Sequence, residues 1–336
     1  MKKILLYMTD FYKYYKDISK ALEKKGYEVH WIKDRVDRTF FDRVKLRVNC
    51  EALADKSFSQ LKNNLERVKS TNFSKVIIIF GGKYIRIRHV EYLKQLYSSA
   101  EFVYYAWDSL KFFPKIADIL PYFDRIYSFD KNDCSKFGME FLPLFYTFFK
   151  ENNVNTKYDY CSVMTFSREK VENYDIIKEL LPENSNGYQF LYLPYKSTYF
   201  FNKIFYRKLF KKYRMKDFNF KPLSREENDN IINESKVVLD CPLKGQNGLT
   251  IRTFNALAHK KKLITTNANI LDFDFYCDDN ILIIDDNTQQ IPLSFFKTPF
   301  NEKFALSQMY SIDSFVDVLL GLKKFEYNHK IKEENK

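Results

Sequence analysis

Short apolar runs recur along the chain, and between them lie stretches whose apolar positions return every three or four residues. Runs of about four to eight apolar residues predict buried strands, and the wider spacing predicts helices. In the first half, strands are predicted at Ile4–Met8, Tyr27–Ile32, Val76–Phe80, Phe102–Ala106 and Arg125–Ser128. The helical patterns there are Phe11–Lys25, which stops at Gly26 as a glycine-capped helix would, Phe58–Lys69, Val90–Tyr97 and Ile116–Tyr122. After the polar stretch Lys150–Lys157 the rhythm restarts, with strands at Tyr158–Met164, Tyr188–Tyr192, Val237–Leu239, Lys262–Thr265 and Ile281–Ile284. Helices fit Glu169–Leu181, Phe201–Tyr213, Arg225–Glu234, Leu249–His259 and Lys303–Leu322.

Strands alternating with helices imply βαβ units and mostly parallel sheets covered on both faces. The reading is an α/β chain of two Rossmann-like, doubly wound domains in series. They are expected to face each other across a cleft toward which the carboxyl ends of both sheets point. The boundaries are 1–150, 158–300, and a C-terminal helix with a polar tail over 301–336. A length of 336 residues suits two such domains.

Composition removes several classes. With 45% hydrophobic and 29% charged residues the chain is neither disordered nor collagen-like. The high aromatic share, 33 Phe and 25 Tyr against 2 Trp, is as readily a product of genomic base composition as of selection for ring chemistry. No apolar run reaches the roughly 18 residues of a spanning helix. The N-terminus begins like a signal peptide, but its apolar stretch breaks at Thr9-Asp10 without a cleavage site and reads as a first strand. Five cysteines, at 50, 134, 161, 241 and 277, are odd in number and lack CxxC spacing, which argues against a disulfide framework and a zinc site. A cytoplasmic location is therefore expected.

Charge is unevenly divided. Residues 1–150 carry 28 Lys and Arg against 18 Asp and Glu, and the remainder 27 against 25. Within the second half, Lys203–Lys221 holds eight basic residues and one acid, Asp217. Such a face attracts phosphate-bearing partners, whether nucleic acid, anionic lipid or a nucleotide-linked metabolite, without choosing among them.

The segment most suited to ligand chemistry is Val237–Ala258, where a buried strand runs into a loop with Gly245 and Gly248 and then into a helix. Free N–H groups and the dipole at a helix start suit a phosphate, and glycine allows close approach. Thr250 and Arg252 add side-chain donors. The competing reading is a plain glycine turn with Thr250 as helix cap.

That segment also carries a resemblance. Leu223–Glu227, Ser235–Asp240, Gln246–Thr253 and Lys262–Asn267 resemble the donor half of GT-B glycosyltransferases, specifically the CgeB-like group and bacterial lipopolysaccharide or capsule biosynthesis enzymes. Upstream, Tyr105–Ser109, Tyr127–Asp133 and Phe141–Tyr146 are similar to the same group. The resemblance covers 100–285 in order and is weaker before that. It implies a nucleotide-sugar donor held mainly by the second domain, a glycan or lipid-linked glycan acceptor held by the first, and no bound metal or other cofactor. By the same carry-over Gln246, Asn247, Gly248, Leu249 and Thr250 lie near the donor's sugar and phosphates, with Arg252 as countercharge. Where the group usually has a glutamate for the ribose hydroxyls, this chain has Asn255, which hydrogen-bonds without the charge.

Other candidates follow from strand ends. Thr165 closes the first strand of the second domain, Ser167 is a candidate N-cap, and Arg168 a candidate phosphate contact, with an ordinary cap and a surface arginine as the alternative. In the first domain Asp108 and then Asp10 are candidate catalytic bases, since an inverting transfer needs a group to take the acceptor hydroxyl's proton; helix capping is the competing role for Asp108. Trp107 either stacks on an acceptor sugar or closes the core. Gly81 and Gly82 would let an acceptor approach backbone, or simply form a turn.

Asp272-Phe273-Asp274 has the D-x-D form that holds a divalent metal in GT-A enzymes, but its place in the chain is wrong for that fold and a solvated loop is the default. His30, His89, His259 and His329 have no metal spacing, and His89, near Arg86 and Arg88, reads as part of a basic surface. Phe201–Tyr213 is amphipathic and reads as a crossover helix with a solvated basic face. The alternative is contact with anionic lipid, where each basic residue adds about 1 kcal/mol, and this would place the protein at the inner face of the cytoplasmic membrane.

Four readings remain: a glycosyltransferase, a nucleotide-sugar epimerase of the same fold, a catalytically inactive sugar-binding relative left open by Asn255, and a nonenzymic nucleic-acid-binding protein suggested by a net charge of +12. The last lacks any recognisable nucleic-acid module, and basic surface alone gives only nonspecific, salt-sensitive affinity.

Overall fold

A computed structural model describes residues 1–34, 51–79, 84–147 and 155–326. The chain forms two compact units, 1–144 together with 309–326, and 145–308. Each is built on one six-stranded sheet whose recorded strand pairs are all parallel.

In the first unit the strands are β1 (Lys2–Met8), β2 (Tyr27–Lys33), β3 (Lys75–Ile79), β4 (Glu101–Ala106), β5 (Arg125–Ser128) and β6 (Glu140–Phe141), in the order β2-β1-β3-β4-β5-β6. Continuous apolar runs make β1, β3 and β4 central, because both faces of a parallel sheet are covered. Leu5 and Tyr7, Val76 and Ile78, and Phe102 and Tyr104 alternate onto one face and join one core. Helix α1 (Tyr14–Lys24) follows β1, α2 (Glu51–Leu65) precedes β3, α3 (Ile87–Leu96) precedes β4, and α4 (Lys131–Phe137) joins β5 to β6. Val90 and Leu93 of α3 are buried in that core.

The second unit contains β7 (Tyr158–Thr165), β8 (Gly187–Tyr192), β9 (Phe218–Asn219), β10 (Ser235–Asp240), β11 (Lys262–Thr265) and β12 (Ile281–Ile283), ordered β12-β11-β10-β7-β8-β9. Its helices are α5 (Arg168–Leu180), α6 (Lys196–Phe205), α7 (Leu209–Lys212), α8 (Arg225–Asn233), α9 (Ile251–Ala258) and α10 (Leu293–Lys297). Tyr160 and Met164 of β7, Val237 and Leu239 of β10, and Ile264 of β11 pack with Tyr174 and Ile177 of α5.

Three sequence expectations are corrected. The single helix expected over Phe201–Tyr213 is two, α6 and α7, with Tyr199, Phe210 and Tyr213 buried while Ile204 and Phe205 stay exposed. Ile116–Tyr122 belongs to a 3₁₀ stretch, Pro114–Tyr122, where Pro121 has no N–H to donate. The helix expected over Lys303–Leu322 is the shorter α11 (Ile312–Leu320), preceded by the 3₁₀ turns Glu302–Phe304 and Gln308–Tyr310. It packs in the first unit. Phe315 stacks edge-on against Tyr105 at 4.8 Å, Lys25 pairs with Asp317 at 2.7 Å, and Arg125 donates to the carbonyls of Val318 (3.2 Å) and Leu319 (3.0 Å). Gly321 ends α11 at φ +75°, and an added Cβ would lie 2.7 Å from Arg125 Nη1, so glycine is required twice over there. Most of the polar stretch before β7 and the tail 327–336 lie outside the described residues.

Candidate functional site

In the second unit β7 and β10 are neighbours, but the chain leaves β7 toward β8 and β10 toward β11. Their carboxyl ends therefore frame the point where the connections diverge, the usual ligand position of a doubly wound sheet. Thr165 ends β7, and Ser167 caps α5 by accepting from the Lys170 N–H at 3.2 Å. Arg168 is exposed; its Nε donates to Glu172 Oε1 at 2.7 Å and its guanidinium lies 5.8 Å from the Tyr206 ring centre.

The loop after β10 is fixed by Asp240, which is 1% exposed. Its Oδ2 accepts from Thr250 Oγ1 (2.7 Å) and Thr253 Oγ1 (2.9 Å), and its Oδ1 from Arg252 Nη1 (2.8 Å). Thr250 is also the N-cap of α9, accepting from the Thr253 N–H. One buried carboxylate thus ties the strand end to the first turn of the helix, and Arg252 neutralises it. Opposite, the Asn267 amide donates to the carbonyls of Asn247 (3.3 Å) and Gly248 (3.3 Å), with Gln246 O at 3.5 Å. The loop carbonyls are drawn to Asn267, while the first N–H groups of α9 have no intrahelical acceptor and carry the positive end of its dipole. Gly245 turns the loop at φ +78°, and the Gln246 N–H closes the turn on Leu243 O at 3.0 Å. Leu249 buries its side chain, leaving only backbone for a ligand. Asn255 is half-buried on α9, three residues beyond Arg252. Sequence reasoning assigned no role to Asp240 or Asn267. An acid closing an apolar strand immediately before a glycine loop was the available signal for the first.

The first unit has the same kind of divergence between β1 and β3. A small pocket of about 70 Å³, partly open to solvent, lies at those strand ends, lined by Met8, Thr9, Phe11, Tyr14, Ile79, Trp107 and Asp108. The Trp107 and Tyr14 rings are 5.5 Å apart. Thr9 is buried, and its hydroxyl has no hydrogen-bond partner among the described residues. Tyr12 and Lys13, directly after Phe11, both have left-handed backbones at φ 45° and 60°, conformations that side chains other than glycine's rarely adopt and that cluster at functional sites.

Asp108 and Trp107 are thus brought into one pocket, whereas Asp10 is exposed and does not line it. Gly81 and Gly82 lie outside the described residues. The Trp107–Asp108 segment is held from behind: the Asp133 carboxylate accepts from the Leu110 N–H (2.9 Å) and from Ser128 Oγ (3.2 Å), and burial raises its pKa. Asp130 caps α4 by accepting from the Asn132 N–H at 2.9 Å. The Tyr127–Asp133 segment is therefore a positioning device for the loop after β4.

Among the described residues no group of three or more His, Cys, Asp or Glu side chains could hold a metal ion. Phe273, between Asp272 and Asp274, is buried against Phe254 and Phe275, so core packing sets the backbone of that D-x-D. Cys134, Cys161, Cys241 and Cys277 form no disulfide among the described residues, and burial pushes the Cys241 thiol up to about 12. His89 is fully buried on α3 rather than part of a basic surface. No helix among the described residues is long and apolar enough to cross a membrane.

No family model and no curated protein matches the sequence. Solved structures do match its fold. HepE of Anabaena, in a crystal with UDP and glucose, aligns at 9% identity and TM-score 0.60, covering 96% of this chain and 99% of that one. A glycosyltransferase from Rickettsia africae aligns at 11% and 0.57, covering 96% and 97%. A UDP-GlcNAc 2-epimerase of Methanocaldococcus jannaschii aligns at 13% and 0.53, covering 96% and 100%. The chain has the GT-B fold, two Rossmann-like domains joined in one polypeptide.

Proposed function

We propose that the protein is a metal-independent glycosyltransferase that moves a sugar from a nucleotide-sugar donor to a surface-glycan acceptor of the lipopolysaccharide or capsule type, as the resemblance to the CgeB-like group implies. The observation carrying this reading is the β10–α9 junction, where Asp240, Thr250, Arg252 and Thr253 hold a helix start rigidly at the divergence point of the second unit. The donor diphosphate meets the first N–H groups of α9, which supply positive charge as the phosphate leaves, and the guanidinium of Arg252, held through Nη1 by Asp240, donates its remaining N–H groups. Gln246, Asn247 and the Leu249 backbone border the sugar, and Asn255 takes a ribose hydroxyl. In the first unit Trp107 presents a ring to the acceptor. The acceptor oxygen bonds the anomeric carbon as the bond to the diphosphate breaks, and in an inverting transfer Asp108 receives the hydroxyl proton.

An epimerase is the second reading, favoured by the fold shared with the Methanocaldococcus enzyme. A thermal-shift and calorimetric screen against UDP-, GDP-, CMP- and dTDP-sugars, with and without Mg²⁺ and at two salt concentrations, tests the proposal, because a ligand of the folded state raises the melting temperature. Metal-free stabilisation by one nucleotide class is expected. Strict Mg²⁺ dependence, or no response to any donor, overturns it; conversion of the donor sugar without acceptor selects the epimerase.

A further inference from the structure

Helix α6 carries its apolar side chains on the wrong face for a helix that only packs on a sheet. Tyr199 turns inward against Phe210 (5.2 Å) and Phe218 (5.4 Å). Phe200, Ile204 and Phe205 are 56%, 61% and 63% exposed. At about 100° per residue these three positions span one outward arc, and Phe201 on the same arc lies ring to ring with Phe205 at 4.4 Å. Isolated exposed hydrophobic residues are ordinary; several within one helical turn and a half form a contiguous patch, which marks an interaction surface.

Basic residues lie within this stretch and directly after it in the chain. Lys203, Arg207, Lys208 and Lys211 are exposed, and none has an ion-pair partner among the described residues. Lys212 differs, pairing with Asp175 at 3.1 Å. Asp217, the one acid between Lys203 and Lys221, is committed to the Arg214 N–H at 2.6 Å. The occupant must therefore accept exposed phenyl and butyl groups and supply negative charge together. A second copy docking the same face would oppose cation to cation. Nucleic acid would use the charges and stack the rings but leave Ile204 unsatisfied.

We propose that the α6–α7 face docks on an anionic lipid bilayer, with Phe200, Ile204 and Phe205 entering the headgroup boundary and Lys203, Arg207, Lys208 and Lys211 on lipid phosphates. The inference is independent of which sugar, if any, the protein transfers.

The full chain is sedimented with vesicles of phosphatidylcholine alone and of phosphatidylcholine mixed with phosphatidylglycerol, and then with a single-stranded oligonucleotide as competitor. Binding to the mixed vesicles only is expected, falling about fivefold for each charge removed in Lys203→Gln, Arg207→Gln and Lys208→Gln, and lost in Ile204→Ser with Phe205→Ser. These side chains are exposed, and circular dichroism and thermal melting of each variant report whether it folds as wild type. Equal binding to both vesicle types, or none, overturns the proposal. So does oligonucleotide binding that displaces vesicles and is unaffected by the Ile204 and Phe205 changes, which would make this a nucleic-acid face, or a concentration-dependent dimer abolished by those same changes.

Discussion

Arg252 Nη1 lies 2.8 Å from Oδ1 of Asp240, so the cation nearest the start of α9 is already paired with a buried carboxylate. Removing it alone leaves that charge without its counterion in a low-dielectric site. Arg252→Ala is expected to cost about 3 kcal/mol of stability as well as donor affinity. Urea denaturation and donor titration separate the two: Asp240→Asn with Arg252→Ala should recover part of the stability and none of the donor affinity. Unchanged donor binding in the folded single variant would remove Arg252 from the donor site.

Asp108→Asn keeps the side chain's shape and its place beside Trp107 in the pocket. Loss of a general base typically costs about 10² to 10⁴ in rate. Transfer should fall by that order while calorimetric donor affinity stays as in wild type. Unaltered turnover would leave Asp108 with a structural role only.

How much of this was legible in the sequence depends on what each residue touches. The ten main strands were readable because buried parallel strands are continuous apolar runs, as in Val76–Ile79. The two-residue strands β6 and β9 were not, since pairing with β5 and β8, and no local pattern, defines them. Ser167 was readable as a cap because capping is local in sequence. The role of Asp133 was not: its carboxylate reaches Leu110, 23 residues away, and only the folded sheet brings them together. The pairing of Arg252 with Asp240 across the glycine loop and the choice between Asp108 and Asp10 at the pocket likewise depend on backbone direction after the strand ends, which periodicity does not encode.

Thr9 offers a test of the first-unit pocket that does not touch the candidate base. Its buried hydroxyl lacks a partner among the described residues, an arrangement that costs the folded chain about 1–3 kcal/mol and that a ligand hydroxyl would relieve. Thr9→Val preserves the shape and removes the oxygen. The melting temperature should hold or rise, while the acceptor KM increases and the donor Kd does not change. A fall in melting temperature would mean that the hydroxyl serves the fold instead.

His89 makes the stability of the protein sensitive to acid in a defined window. Burial first, and then the guanidinium groups of Arg88 and Arg86, push its pKa from 6.5 down to about 4. Its Nδ1 accepts from the Arg86 N–H at 3.2 Å, the Phe58 ring lies edge-on at 5.1 Å, and Nε2 is buried without a partner among the described residues. Between pH 6.5 and 4 the unfolded chain binds a proton at this position that the folded chain refuses. Stability is therefore retained above pH 6.5 and falls, by about 3 kcal/mol across the window, as the pH drops toward 4. Carboxylates titrate in the same range, so the comparison must be with His89→Gln, which keeps an acceptor at the third position of α3 and cannot take the proton. Denaturant midpoints measured at pH 7, 6, 5 and 4 should decline less steeply in the variant, the two curves separating below about pH 6.5. Parallel curves would show that the imidazole is hydrated or paired in solution and carries no acid penalty.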